Sequence, residues 1–228
     1  MKILQRPSLN FGERADGSMI DKLILHYTGM KSGEASLARM CDSTSEVSAH
    51  YFVAEDGTIT QLVDEEQRAW HAGVSFWAGE TDINSQSIGI ELQNPGHEWG
   101  YREFPEQQIA ALIELAIEIL IRHAIPAKNV LGHSDIAPDR KQDPGELFPW
   151  QRIAAMNVGY WPSCEIETTP PDISDTKLHE KLSLFGYNPE MPLSDVVTAF
   201  QRHFRPTNID GTVDPETNLL ISACAKIA

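Results

Sequence analysis

Cysteine is scarce in this chain. Cys41, Cys164 and Cys224 are the only three in 228 residues, far apart, odd in number and in no CxxC pair. That excludes a disulfide framework and a zinc knuckle, and predicts reduced, buried thiols. Long apolar runs are also missing: none reaches the roughly 18 residues that a membrane-spanning helix needs. The opening MKILQRPSLNFGERADG lacks the apolar stretch of a secretory signal. A cytoplasmic location is therefore expected, with a periplasmic or outer-membrane-associated one as the alternative for a chain whose signal has been removed. Basic residues are few, 18 Lys and Arg against 33 Asp and Glu, for a net charge of −15. Such a balance argues against a nucleic-acid partner, whose phosphates demand a basic face, and against adsorption to anionic lipid.

What is present is ordinary for a globular chain, 41% hydrophobic and 22% charged, and long enough for one medium domain plus a small one, expected to act as a monomer. KLILHYTG (22–29) reads as a buried strand with His26 at its end. SAHYFVAEDGTITQLV (48–63) reads as a hairpin about Glu55-Asp56-Gly57, since Asp-Gly favours a tight turn. QSIGIELQN (86–94) is a further strand carrying Glu91 inside an apolar run. FPEQQIAALIELAIEILIRHAI (104–125) has helical spacing of Ile109, Leu112, Ile113, Ala116 and Leu120, with Pro105 in its first turn. NVLGHSDI (129–136) reads as a strand again. The fold class expected is α/β, a central mixed β-sheet flanked by helices, over residues 1–162. SCEIETTPPDISD (163–175) has the composition of a linker. Three amphipathic segments over 176–228 then predict a small three-helix domain, the second starting at a Ser194 cap and the third at Asp214-Pro215.

LGHSDIAPDRKQDPG (131–145) crowds His133, Asp135, Asp139, Lys141 and Asp143 into one Pro-stiffened loop. With His26, His133 and one of the loop carboxylates could form the two-imidazole, one-carboxylate shell of a catalytic zinc ion. Such an ion lowers the pKa of a bound water to about 7. Glu91 would serve as the base that takes the water's proton and returns it to a leaving amine. Lys141 would stand where negative charge develops. Each feature has a plainer explanation: a strand-end His is commonly structural, and a loop with three Asp is commonly just solvated. A carboxylate between Ile90 and Leu92 is harder to explain away, because burying one is costly unless it is paired or used.

LILHYTG, SAHYFVAEDGTITQLV, RAWHAGVSFWAG, NSQSIGIELQN and LGHSDIAPDRKQDPGELFPW follow one another in an order that resembles the zinc N-acetylmuramoyl-L-alanine amidases of the AmpD/AmiD type. These are relatives of phage lysozyme-type amidases and of the peptidoglycan recognition proteins. The resemblance covers about residues 20–152. The tail from about 176, with FQRHFRPTNIDGTVDPET, resembles the three-helix peptidoglycan-binding domain attached to many cell-wall hydrolases. The resemblance implies Zn2+ held by His26, His133 and Asp143, Glu91 as acid/base, and Lys141 as stabiliser of the transition state. Tyr27, Arg68, His71 and Asn84 fall in motifs that line the family's cleft and are expected to bind substrate, although Tyr27 could equally be core and His71 could buttress the sheet. His50 is expected to be structural, and His97, His123, His179 and His203 to be surface or packing residues. Inactive relatives commonly lack a ligand; none is missing here, so activity is expected. The implied reaction cleaves the amide between the lactyl group of N-acetylmuramic acid and L-alanine, in intact murein or in 1,6-anhydro muropeptides.

Two rival readings make different demands on these residues. His133-x-Asp135 is the local signature of a two-His-one-carboxylate iron(II) oxygenase. It would make Asp135 a ligand, leave His26 idle and require His179 or His203 as the second imidazole. The other rival is a recognition protein that holds a muropeptide without cutting it, against which the complete ligand set, Glu91 and Lys141 all argue.

Overall fold

The computed structural model of the chain describes residues 2–163 and 174–227. Its strands, in chain order, are β1 (Ile3–Gln5), β2 (Phe11–Gly12), β3 (Lys22–Tyr27), β4 (Tyr51–Val53), β5 (Ile59–Gln61), β6 (Arg68–Ala69), β7 (Ser87–Leu92) and β8 (Val130–Gly132). The helices are α1 (Gly33–Cys41), α2 (Ile83–Gln86), α3 (Gly96–Trp99), α4 (Glu106–His123), α5 (His133–Ile136), α6 (Trp150–Ala155), α7 (Asp175–Phe185), α8 (Leu193–Phe204) and α9 (Pro215–Cys224).

Six strands form one mixed sheet in the order β1-β5-β4-β7-β3-β8, and β2 pairs with β6 apart from it. β4 and β5 are the expected hairpin, antiparallel with Phe52 opposite Thr60, and Gly57 supplies the positive φ (84°) of the turn. β4, β7, β3 and β8 run parallel to one another. Their carboxyl ends therefore open on one edge, which is where open α/β sheets place their sites. Side chains alternate across β3 and β7, so Leu23, Leu25, Ile88, Ile90 and Leu92 pack with Ile109, Leu112 and Ala116 of α4 on one face. His26 and Glu91 lie in register on the other face.

That other face carries two separate cores. Met40 of α1 meets Phe52, Leu62 and Val63 near β4 and β5. Ile24 and Leu131 instead meet Trp77 and the buried residues of α7, α8 and α9, among them Phe185, Val196, Phe200 and Ile221. The three C-terminal helices thus share a core with the sheet, although composition suggested an appended unit. Nearly all of the linker expected at 163–175 lies outside the described residues, as does Cys164. Of the other cysteines, Cys224 is buried and Cys41 is partly exposed.

Two local expectations need correction. His133 does not end a strand: β8 stops at Gly132, and His133 opens the single turn of α5. The Asp135 carboxylate accepts from Gly132 N–H at 2.7 Å, which turns the chain there. Ser194 lies inside α8, whose cap position is Pro192. Asp214 does cap α9, its side chain accepting from Thr217 N–H at 2.9 Å.

Candidate metal centre and cleft

His26 comes from the end of β3, and its neighbours on either side are Glu91 on β7 and His133, one residue past β8. Asp143 returns to this point through the loop 137–143. The loop is pinned by Ser134 N–H donating to Asp143 O (3.0 Å) and Lys141 N–H to Ala137 O (3.1 Å). His26, His133 and Asp143 are all buried, and each can offer one ligand atom to a common metal ion. The three atoms form a nearly equilateral triangle. His26 Nδ1 lies 3.0 Å from His133 Nδ1 and 2.9 Å from Asp143 Oδ2, and His133 Nδ1 lies 3.1 Å from the same oxygen. A tetrahedral ion with bonds of about 2.0–2.1 Å separates its ligand atoms by about 3.3 Å, so the triangle is close to one face of such a shell.

Hydrogen-bond directions show what the triangle lacks. His133 Nε2 is 3.0 Å from Ala72 O, and a carbonyl only accepts, so the proton is on Nε2 and Nδ1 carries a lone pair. The same reasoning runs through three residues behind His26. Ser87 Oγ donates to Ile83 O at 2.6 Å, so it must accept from His71 Nε2 at 3.3 Å. His71 Nδ1 is then the acceptor for His26 Nε2–H at 3.1 Å, and His26 Nδ1 is left with a lone pair. Two imidazole lone pairs and a carboxylate oxygen converge with no hydrogen among them. A cation resolves that arrangement.

Electrostatics agree. Burial, and then the neighbouring His133, push His26 down to about 4. His71 is driven well below its ordinary range by burial and by His26. Burial raises the Asp143 carboxyl; protons or positive charge on His133 and His26 would hold it far below the usual carboxylate range, and where their lone pairs face it instead, a bound cation would play that part. His26 and His71 are thus neutral at pH 7, as metal ligation by one and its support by the other require.

A cleft of about 410 Å³ stands over the triangle, with Glu91 and Lys141 in its wall beside Tyr27, Arg39, Trp70 and Arg140. Glu91 Oε2 is inaccessible and has no hydrogen-bond partner among the described residues. Burial, and then Asp143, raise its carboxyl well above the ordinary value, with Lys141 opposing. A buried acid in that state is suited to carrying a proton. Arg140 is spent on the Ala72 and Val74 carbonyls and holds the rim.

The four expected substrate contacts fare differently. Tyr27 reaches the cleft, but its hydroxyl is engaged with His97 Nδ1 at 2.9 Å. His71 borders the cleft with both ring nitrogens committed to His26 and Ser87, so it supports His26 and offers no free ring nitrogen to the cleft. Arg68 and Asn84 are not brought to the cleft. Arg68 pairs with Asp82 at 2.8 Å, and Asn84 Oδ1 accepts from the backbone N–H groups of His71 (3.1 Å) and Ala72 (2.9 Å), positioning that segment. His50 is structural as expected: its Nδ1 accepts from Gly89 N–H at 3.0 Å. Asp135 cannot act as the ligand an iron(II) oxygenase would need, because Gly132, Tyr187 and His203 occupy both of its oxygens.

Ser87 and the Ala72 carbonyl were not foreseen from sequence, since a serine opening an apolar strand and a backbone oxygen leave no signature. Gly89 did carry one. A Cβ there would lie 2.5 Å from His71 Cγ, so this glycine inside a strand marks where the ring lies against the sheet.

Residues 16–146 match the family described as N-acetylmuramoyl-L-alanine amidase. The N-acetylmuramoyl-L-alanine amidase AmiD of Escherichia coli K12 is 40% identical over 230 residues, covering 90% of this chain and 82% of that protein. The solved complex of E. coli AmiD with anhydro-N-acetylmuramic acid-L-Ala-D-γ-Glu-L-Lys superposes with a TM-score of 0.83 at 38% identity, covering 94% of this chain and 93% of that one. AmpDh3 of Pseudomonas aeruginosa, solved with anhydromuramic pentapeptide, gives 0.82 at 34% identity, covering 96% and 94%.

Proposed function

As the chain belongs to the N-acetylmuramoyl-L-alanine amidase family, we propose that it hydrolyses the amide between N-acetylmuramic acid, or its 1,6-anhydro form, and the L-alanine of the stem peptide. The metal we assign is Zn2+, held by His26 Nδ1, His133 Nδ1 and Asp143 Oδ2. The observation that carries the assignment is the convergence of three electron pairs at 2.9–3.1 Å with no proton between them. Two nitrogens and one oxygen in a buried tetrahedral face, with a cleft on the open side, is the donor set of a catalytic zinc site and not of a closed structural one. Bound there, the ion supplies an activated water and polarises the scissile carbonyl.

The protein's own groups do the rest. Glu91 accepts a proton from the attacking water and delivers it to the departing alanine nitrogen, which would otherwise leave as a poor amide anion. Its carboxyl stands beside His26 in the sheet and is raised by burial and by Asp143; a cation held by the three ligands would offset that and favour the carboxylate, the form that takes up the proton. Lys141, which makes no side-chain hydrogen bond or ion pair among the described residues, offers its ammonium to the oxygen that gains charge as the carbonyl becomes tetrahedral. The His71–Ser87 relay holds His26 in the ligating tautomer throughout.

The test is Glu91→Ala supplied with anhydro-N-acetylmuramyl tripeptide, following release of the free alanyl amine. The expected outcome is full zinc content with turnover reduced by about 10²–10⁴-fold. Unchanged turnover in that variant would remove Glu91 from the mechanism.

A further inference from the structure

The most thoroughly bonded carboxylate near the metal triangle is not a ligand. Asp135 is 1% exposed. Its Oδ1 accepts from Tyr187 Oη–H at 2.6 Å. Its Oδ2 accepts from Gly132 N–H at 2.7 Å and from His203 Nδ1 at 2.7 Å. Two of those three donors come from the C-terminal helical module, 52 and 68 residues further along the chain. His203 is itself clamped, stacked on Trp150 with ring centroids 3.7 Å apart and on Phe204 at 3.9 Å. Tyr187 packs edge-on to Trp77 at 5.0 Å, and Ala78 N–H donates to Gly186 O at 2.7 Å.

Asp135 also sits in the one turn of helix that fixes the ligands. His133 is two residues before it, and Ser134 N–H is bonded to the Asp143 carbonyl. Moving Asp135 therefore moves both His133 and Asp143. A buried carboxylate that loses its donors cannot stay where it is without a large desolvation penalty, and it would swing toward water and take α5 with it.

We propose that the C-terminal helical module is a working part of the metal centre, with Asp135 as the positioning residue through which Tyr187 and His203 set the His133–Asp143 spacing. The inference rests on the metal reading above and goes beyond it. Whatever else the module binds, its first duty in this chain is to hold two of the three ligands in place.

The experiment uses the full chain loaded with zinc and follows transfer of the metal to a chromogenic chelator, with the visible spectrum of the Co(II)-substituted protein as a second readout of ligand geometry. The variants are Tyr187→Phe, His203→Phe and their double. Leu220→Ala, in the module's own core and outside the hydrogen bonds to Asp135, serves as the control for general destabilisation. The double variant is expected to lose zinc at least about tenfold faster than wild type, with an altered Co(II) spectrum, while Leu220→Ala stays within about twofold. Tyr187→Phe removes one hydroxyl and keeps its ring, so it carries the test alone if the double fails to fold, with a smaller change in the same direction. Zinc loss and Co(II) spectra matching the Leu220→Ala control would overturn the proposal. No substrate is involved, so failure of the amidase reading would not disturb the result. A wild-type chain that takes up no zinc would sink both.

Discussion

Replacing His71 with Phe separates the support of a ligand from the ligand itself. The ring's place against Gly89 is kept, but both of its hydrogen bonds are lost. His26 Nε2–H, now paired at 3.1 Å, becomes a buried donor with no acceptor, and Ser87 Oγ loses its donor. An unsatisfied buried group costs about 1–3 kcal/mol, so a lower melting temperature is expected. The effect on metal is separable. With no acceptor behind it, His26 is free to move its proton to Nδ1, the atom that faces Asp143 and His133. Outer hydrogen bonds to metal-bound imidazoles are typically worth 10–100-fold in affinity, or about 1.4–2.7 kcal/mol at 1.36 kcal/mol per decade. Zinc affinity measured by competition with a chromogenic chelator should fall by that factor. Ser87→Ala should fall less, because His71 remains but its tautomer is no longer dictated. A folded His71→Phe protein with wild-type zinc affinity would refute the relay, whatever its melting temperature.

Gly89→Ala attacks the same relay from the sheet side, since the new methyl would lie 2.5 Å from His71 Cγ. Thermal melts should show a loss of about 1–3 kcal/mol, with weaker zinc binding beside it; a neutral outcome would place the His71 ring elsewhere. Away from the site, burial tends to raise Glu65, but hydrogen bonds from Arg122, His123 and Tyr51 prevail and bring it down to about 2. An unfolded Glu titrates near about 4.3. The folded value is lower, so this stabilisation is complete above that pH and is lost as pH falls through about 2. Melts of metal-free protein between pH 5 and 2 should therefore fall more steeply for wild type than for Glu65→Gln, and parallel slopes would count against the network's role.

The parts of this fold that were legible share a physical cause. β3, the β4–β5 hairpin, β7 and α4 each bury a continuous apolar face, and period and turn chemistry record that directly. α1 was missed because its nine residues bury only Gly33, Ser36 and Met40, too little to make a pattern. α5 was read as strand because its four residues are fixed by side-chain bonds to Asp135, a tertiary cause with no local period. Motif order pointed to His26, His133 and Asp143, whose possible ligand atoms do converge, whereas Arg68 and Asn84 fell in the same motifs and lie away from the cleft. They shape the segment that carries His71, and motif membership cannot distinguish a residue that touches substrate from one that positions a neighbour. The docking of the last three helices was hidden as well. Asp135, Tyr187 and His203 are scattered over 69 positions, and only the folded chain brings them together.

Zinc dependence of amide cleavage tests the central claim most directly. The protein is stripped with a chelator, titrated with Zn2+ and assayed for free amine from anhydro-N-acetylmuramyl tripeptide. The account predicts that turnover vanishes on stripping and returns with a break at about one zinc per chain, the occupancy of a single two-His-one-carboxylate site. Turnover that survives complete stripping, or no amine released at any zinc loading, would contradict it.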